Sequence, residues 1–177
     1  MRIFQAGLAL VLVGSVVAGG QPATDPALRG QLMQLFPSAT TFSPKGGTPP
    51  HYKAFVNDSP AAAPKLLGLA FWTTELEPLE RGYDGPIKIL VGMDPQGILA
   101  GIIVAAHHEP FGDFSIDPPK FAAQFKGKNI RDPFKVGADI DAVSRASISI
   151  TSATRAIRNS ARRIARAFLT PPEAGGK

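Results

Sequence analysis

The stretch Asp141-Ala142-Val143-Ser144-Arg145-Ala146-Ser147-Ile148-Ser149 gathers hydroxyls, a carboxylate and a guanidinium just ahead of a helical pattern. These groups suit phosphate. Backbone N–H groups at a helix start attract anions. Ser144, Ser147, Ser149, Thr151 and Ser152 add hydroxyl donors, and Arg145 adds a permanent positive charge. The same residue types also make plain helix caps, so the residues alone leave a phosphate cradle and a cap both open. Ser147 as a hydrolytic nucleophile needs a positioned base. The three histidines are His51, His107 and His108, and the spacing sets none of them beside it. His107 and His108 precede Glu109, but successive strand residues point to opposite faces and chelate a metal poorly. With no cysteine, disulfides, iron–sulfur clusters and thiolate metal sites are excluded. Redox chemistry would then rest on an organic cofactor or a metal held by other ligands.

The elements that must position this stretch follow from periodicity and punctuation. Asp25 caps a predicted helix over Pro26–Phe36, with Pro26 just inside and Leu28, Leu32, Leu35 and Phe36 at helical spacing. Residues 37–50, rich in Pro, Gly, Ser and Thr, read as a loop. Strands are expected over Tyr52–Val56 and Leu66–Thr73, followed by a polar segment to Arg81. Ile87–Val91, the turn Asp94-Pro95-Gln96-Gly97, and Ile98–Ala106 form a β-hairpin. Ile102-Ile103-Val104 is apolar in succession, which predicts that the second hairpin strand is central and covered on both faces. Asp117, Pro118 and Pro119 open a predicted helix through Phe121, Ala122 and Phe125, stopped by Gly127. A last helix is expected over Ser152–Leu169. Its Ile157, Ala161, Ile164, Ala165 and Phe168 share one face, and Arg155, Arg158, Arg162, Arg163 and Arg166 form a solvated face or a docking surface for an acidic partner. The fold class is α+β: a mainly antiparallel sheet with a central β-hairpin, covered by helices including a long C-terminal one.

A chain of 177 residues, 44% hydrophobic and 19% charged, is one ordinary globular domain. Arg2 followed by the apolar run Ile3–Ala18 and small residues to Gly20 reads as a signal peptide over 1–20. The run is short for a membrane span, so cleavage is expected, with no integral insertion afterwards. A linker follows over 21–29, the domain over 30–170 and a tail over 171–177. The net charge of +5 comes with no nucleic-acid motif, so no nucleic-acid partner is expected.

Asp141-x-x-Ser144-x-Ala146-Ser147 resembles the flavinylation motif of the FMN-binding domain family, D-x-x-S/T-G-A-T/S. That family includes the FMN-carrying subunits of the sodium-translocating quinone reductase and of the related ferredoxin:NAD oxidoreductase complex. Gly82-Tyr83-Asp84-Gly85-Pro86-Ile87, His107-His108-Glu109-Pro110 and Leu35-Phe36-Pro37-Ser38-Ala39 are similar to the FMN-binding domain of the nitrous oxide reductase expression regulator. The likeness spans roughly residues 30–169. It implies covalent FMN, a phosphoester set on Ser147 by a flavin transferase, with Asp141, Ser144, Arg145, Ala146, Ile148 and Ser149 around it. It places His108, Glu109 and Pro110 in a loop near the flavin, whereas the residues alone read equally as a plain strand end with solvated polar side chains. Tyr83 and Gly85 either contact the flavin or form a tight turn, with Tyr83 packed on the sheet edge. Thr73 and Thr74 either donate to flavin carbonyls or cap a strand end, and Trp72 reads as core. The family has Gly where this chain has Arg145, and glycine reaches a positive φ with less strain. The implied protein is a periplasmic electron carrier serving a membrane-bound donor or acceptor complex, rather than a stand-alone enzyme. The alternative is a non-redox sensory or accessory FMN-binding module that regulates a respiratory system.

Overall fold

The computed structural model describes residues 25–59 and 62–169. The expected signal peptide, residues 21–24 of the linker and the tail lie outside them. Five strands make one sheet in the order of the chain: β1 (Thr41–Phe42), β2 (Tyr52–Val56), β3 (Lys65–Trp72), β4 (Lys88–Met93) and β5 (Leu99–Ala106). Every neighbouring pair is antiparallel. The helices are α1 (Pro26–Leu35), α2 (Thr73–Leu76), α3 (Gly112–Ser115), α4 (Pro119–Ala123) and α5 (Ser147–Phe168). The α+β class expected from the sequence is the one observed.

Strand alternation divides the core in two. Leu69, Phe71, Ile89, Val91 and Met93 point to one face, where Ile150, Ala153, Ile157, Ala161 and Ile164 of α5 meet them. Ala54, Ala70, Trp72 and Leu90 point to the other face, under Leu32, Leu35 and Phe36 of the α1 segment. Trp72 is thus core, and the Lys88 ammonium sits 4.5 Å from its ring centre. Two glycines let α1 come close. A Cβ on Gly68 would stand 2.6 Å from the Phe36 ring, and one on Gly92 would stand 3.2 Å from it. The α1 start follows its sequence signal, since Asp25 accepts the Ala27 N–H at 3.0 Å.

The hairpin turn also forms as its residues demand. Asp94 Oδ1 accepts the N–H groups of Gln96 at 2.9 Å and Ile98 at 2.8 Å, and Gly97 takes φ 81°. The following strand is not central, however. β5 is the last strand of the sheet, and its continuous apolarity comes from cover on both faces instead. Its free edge is partly closed by the chain after α4: Leu99 N–H donates to Lys128 O and Gly127 N–H to Leu99 O, both at 2.8 Å.

Three further expectations change. The segment read as a loop holds the short edge strand β1, too brief to show alternation. The helix after Asp117 is only Pro119–Ala123, and Asp117 caps nothing because its carboxylate meets His107 at 2.8 Å. The last helix begins five residues early, at Ser147, because Ile150 and Ala153 extend its buried stripe toward the amino end. The arginines of that helix are mostly committed to this protein. Arg155 pairs with Glu80 through two contacts at 2.7 and 2.6 Å. Arg162 donates to Ile130 O and Asp132 O, and Arg163 to Leu76 O. They fasten loops and α2 to α5, so the face is not simply solvated.

Candidate functional site

The chain reaches α5 through a turn at Ser144–Arg145, in which Ala146 N–H donates to Val143 O at 3.2 Å. Arg145 holds φ 68°, the left-handed region that glycine adopts more easily. Ala146 stands at the cap position and has no side chain to satisfy the first N–H groups of α5. Ser147 is the first helical residue and is exposed. Its hydroxyl therefore stands beside unsatisfied backbone donors, at the positive end of a 22-residue helix.

Beside it opens a cleft of about 430 Å³, lined by Tyr83, Pro110, Phe111 and the run Arg145–Ser149. That volume falls in the range of roughly 300–1,000 Å³ usual for small-molecule sites. Seven residues expected at the site from the sequence meet here: Tyr83, Pro110, Arg145, Ala146, Ser147, Ile148 and Ser149. Tyr83 does not pack on the sheet edge, since it is 70% exposed. Ile148 is 56% exposed, which is unusual for an isoleucine and leaves an apolar lip on the cleft. Phe111 was not anticipated. Its ring centre lies 5.4 Å from that of Phe114, and both are partly exposed. The signal available for it is an aromatic pair, Phe111-Gly112-Asp113-Phe114, directly after His108-Glu109-Pro110.

Glu109 belongs to the site differently from the way the resemblance implied. It is buried, and its carboxylate accepts the N–H groups of Tyr83 at 2.9 Å and Asp84 at 3.1 Å and the hydroxyl of Ser149. Burial pushes its pKa up. The Ser149 hydroxyl, the two N–H groups and nearby His107 outweigh that, so it titrates below the usual carboxylate range. Gly82 leaves room there, because a Cβ would displace the Glu109 carboxyl. His107 braces the same loop. Its Nδ1 accepts the Glu109 N–H at 3.0 Å, which leaves Nε2 to donate to Asp117 Oδ1 at 2.8 Å.

The remaining expected residues do not line the cleft. Asp141 faces a separate recess with Lys120 and Gln124, and its N–H donates to Gln124 Oε1 at 2.7 Å. Ser144 is exposed in the turn before Arg145, and His108 is exposed away from the lining. Gly85, at φ 121°, accepts the Gly82 N–H through its carbonyl at 2.7 Å and shapes the turn that carries Tyr83. The hydroxyl of Thr73 donates to Ile87 O and accepts from Ile89 N–H, both at 3.1 Å, so it ties the start of α2 to β4 and the residue before it. Among the described residues, no group of three or more His, Cys, Asp or Glu could hold a metal ion.

The sequence from Gly82 to Arg162 matches the model of the FMN-binding domain, and this span contains every residue that lines the cleft. The likeness to the FMN-binding domain family thus lies in residues 82–162. The resemblance drawn from Asp141–Ser147 is therefore borne out. The FMN-binding domain match covers β4, β5 and most of α5, and leaves α1 and β1–β3 outside it. One subunit of the ion-translocating oxidoreductase complex of Pseudomonas aeruginosa, in strains UCBPP-PA14 and PAO1, is similar to this chain, at 32% identity over 108 residues. That alignment covers 54% of this chain and 50% of the relative, so the match spans half the length of these relatives. Among the described residues, no helix is long and apolar enough to cross a membrane. The site suits the family's ligand: a phosphate is matched by the α5 start and Arg145, and a flat aromatic ring system by Tyr83, Phe111 and Ile148.

Proposed function

We propose that this protein carries FMN as a phosphoester on Ser147 and passes electrons in the periplasm between a membrane-bound complex and an extracytoplasmic partner. The observation that carries the reading is the position of Ser147, an exposed hydroxyl on the first residue of α5 at the mouth of the cleft. Ester formation breaks the Ser147 O–H bond and the P–O–P bond of a flavin dinucleotide, forms one P–Oγ bond and releases a proton and the nucleoside monophosphate, a net gain of FMN less water. A flavin transferase would supply the activated flavin nucleotide. The bound flavin supplies the redox chemistry, while the chain holds and orients it. Arg145 and the first N–H groups of α5 would neutralise the phosphate. Tyr83 and Phe111 would limit water at the ring. The likeness to one component of an ion-translocating oxidoreductase complex supports a membrane-bound partner.

The test is intact mass and absorbance of protein exported from a host that holds the transferase. The wild-type chain should gain the mass of FMN less water and stay yellow after denaturation, and Ser147→Ala should do neither. Colourless, unmodified wild-type protein would sink the reading. A strained Arg145 where the family has glycine favours one second reading, a domain that has lost flavinylation and serves as a non-redox accessory module. That module would remain colourless under the same conditions.

A further inference from the structure

We infer that Glu109 is the positioning residue that holds the walls of the cleft together and thereby sets Ser147 for esterification; the inference rests on the FMN reading of Ser147. Three separate pieces of chain form the cleft: the turn bearing Tyr83, the loop bearing Pro110 and Phe111, and the first turn of α5. One carboxylate joins all three. Glu109 lies on the Phe111 loop and accepts Tyr83 N–H at 2.9 Å and Asp84 N–H at 3.1 Å from the first wall and the Ser149 hydroxyl from the third. Ser149 is two residues from Ser147 on the same helical turn, so its position fixes that of the acceptor. The latch is itself held, because His107 accepts the Glu109 N–H and donates to Asp117. Glu109 is buried behind the lining and does not face the cleft. It acts through its neighbours rather than on the flavin.

Four acceptor lone pairs facing three donors make an ionised glutamate hard to replace here. In Glu109→Gln the amide NH₂ would face at least one backbone N–H, so one donor pair must part. In Glu109→Asp the carboxylate would sit a methylene too far back to reach both walls.

The experiment uses the full chain as wild type and as Glu109→Gln. As a control it includes a core variant, Leu32→Ala, on the opposite face of the sheet. In the flavin-free proteins, amide hydrogen exchange is read at Tyr83, Asp84 and the first turn of α5. Separately, a purified flavin transferase with its flavin dinucleotide donor is used to time FMN attachment by intact mass, at saturating acceptor and below every melting temperature. In Glu109→Gln the local amides should exchange at least tenfold faster, with β3 and β4 unchanged, and attachment should slow at least tenfold. Leu32→Ala should lose thermal stability yet accept FMN at the wild-type rate, whereas a merely structural role for Glu109 would make the two variants behave alike. Unchanged exchange at Tyr83 and Asp84 overturns the latch, whatever the wild type incorporates. Faster exchange with attachment within twofold of wild type overturns the positioning role. A wild type that takes no FMN removes the reading of Ser147, and the positioning role with it; the exchange arm then reports only whether Glu109 joins the walls.

Discussion

Arg145 holds a backbone conformation in which a side chain brings strain and glycine brings little. Arg145→Gly should therefore raise the unfolding free energy by about 1 kcal/mol, read by denaturant titration. An unchanged or lower stability would mean that the guanidinium makes a compensating contact. The departure from the family glycine was legible in the sequence, and so was the question it raised about positive φ. The answer needed the backbone. Phe111 is the opposite case. Its pairing with Phe114 is visible, but nothing in the sequence says which way it faces, because the loop that carries it is aimed by Glu109 and His107 through hydrogen bonds with no sequence period. With FMN on Ser147, Phe111→Ala should leave attachment intact while raising flavin fluorescence, because the ring becomes more exposed to water. Unchanged emission would remove Phe111 from the flavin wall.

Helix α5 carries the site at one end and six buried residues of one core along its length. Ile157 is fully buried between α5 and the sheet, so Ile157→Ala should destabilise the fold by about 2–5 kcal/mol, measured by denaturant midpoint. By contrast, Arg155→Ala should cost no more than about 1 kcal/mol, because its pair with Glu80 is partly exposed to water. The Ile157 stripe could be read from helical spacing, but the start of the helix could not. Residues 146–151 are small, hydroxylated and β-branched, types that propensity assigns to caps and turns. Burial of Ile150 and Ala153 overrides that local preference. The same physics misleads at β5. Cover on both faces gives an apolar run whether a strand lies inside a sheet or at its edge, so Ile102-Ile103-Val104 could not distinguish the two. Asp117 could not be read as a histidine partner, because His107 lies ten residues away, just after β5, with α3 between them.

For the molecule as a whole, three carboxylates link folding to pH. Glu80 is held below the usual range by its hydrogen bonds with Arg155, despite some burial. For Glu109 and Asp139, burial pushes the pKa up and hydrogen bonds outweigh it, those to Asp139 coming from Lys135 N–H, Lys128 and Phe134 N–H. Each folded pKa is depressed, so the stability it contributes is fully present above the ordinary carboxylate values near about 4. It is lost as pH falls through the lower folded values. Acid unfolding followed by Trp72 fluorescence should steepen below about pH 4, and Glu109→Gln should flatten that slope. Glu109 titrates among Asp84, His107 and the Ser149 hydroxyl, so the variant isolates one group in that set. Identical slopes for the two proteins would remove Glu109 from the linkage.

The five strands also act as a partition. Phe36 lies against Gly68 and Gly92 on one side, and α5 with its cleft lies on the other. Helix α1 lies behind that partition, so a pull applied at its Asp25 cap bears on the Phe36 seat. The open mouth at Ser147 belongs to the other face, with α5, so a load on the α1 seat and access to the cleft are separated by the whole sheet.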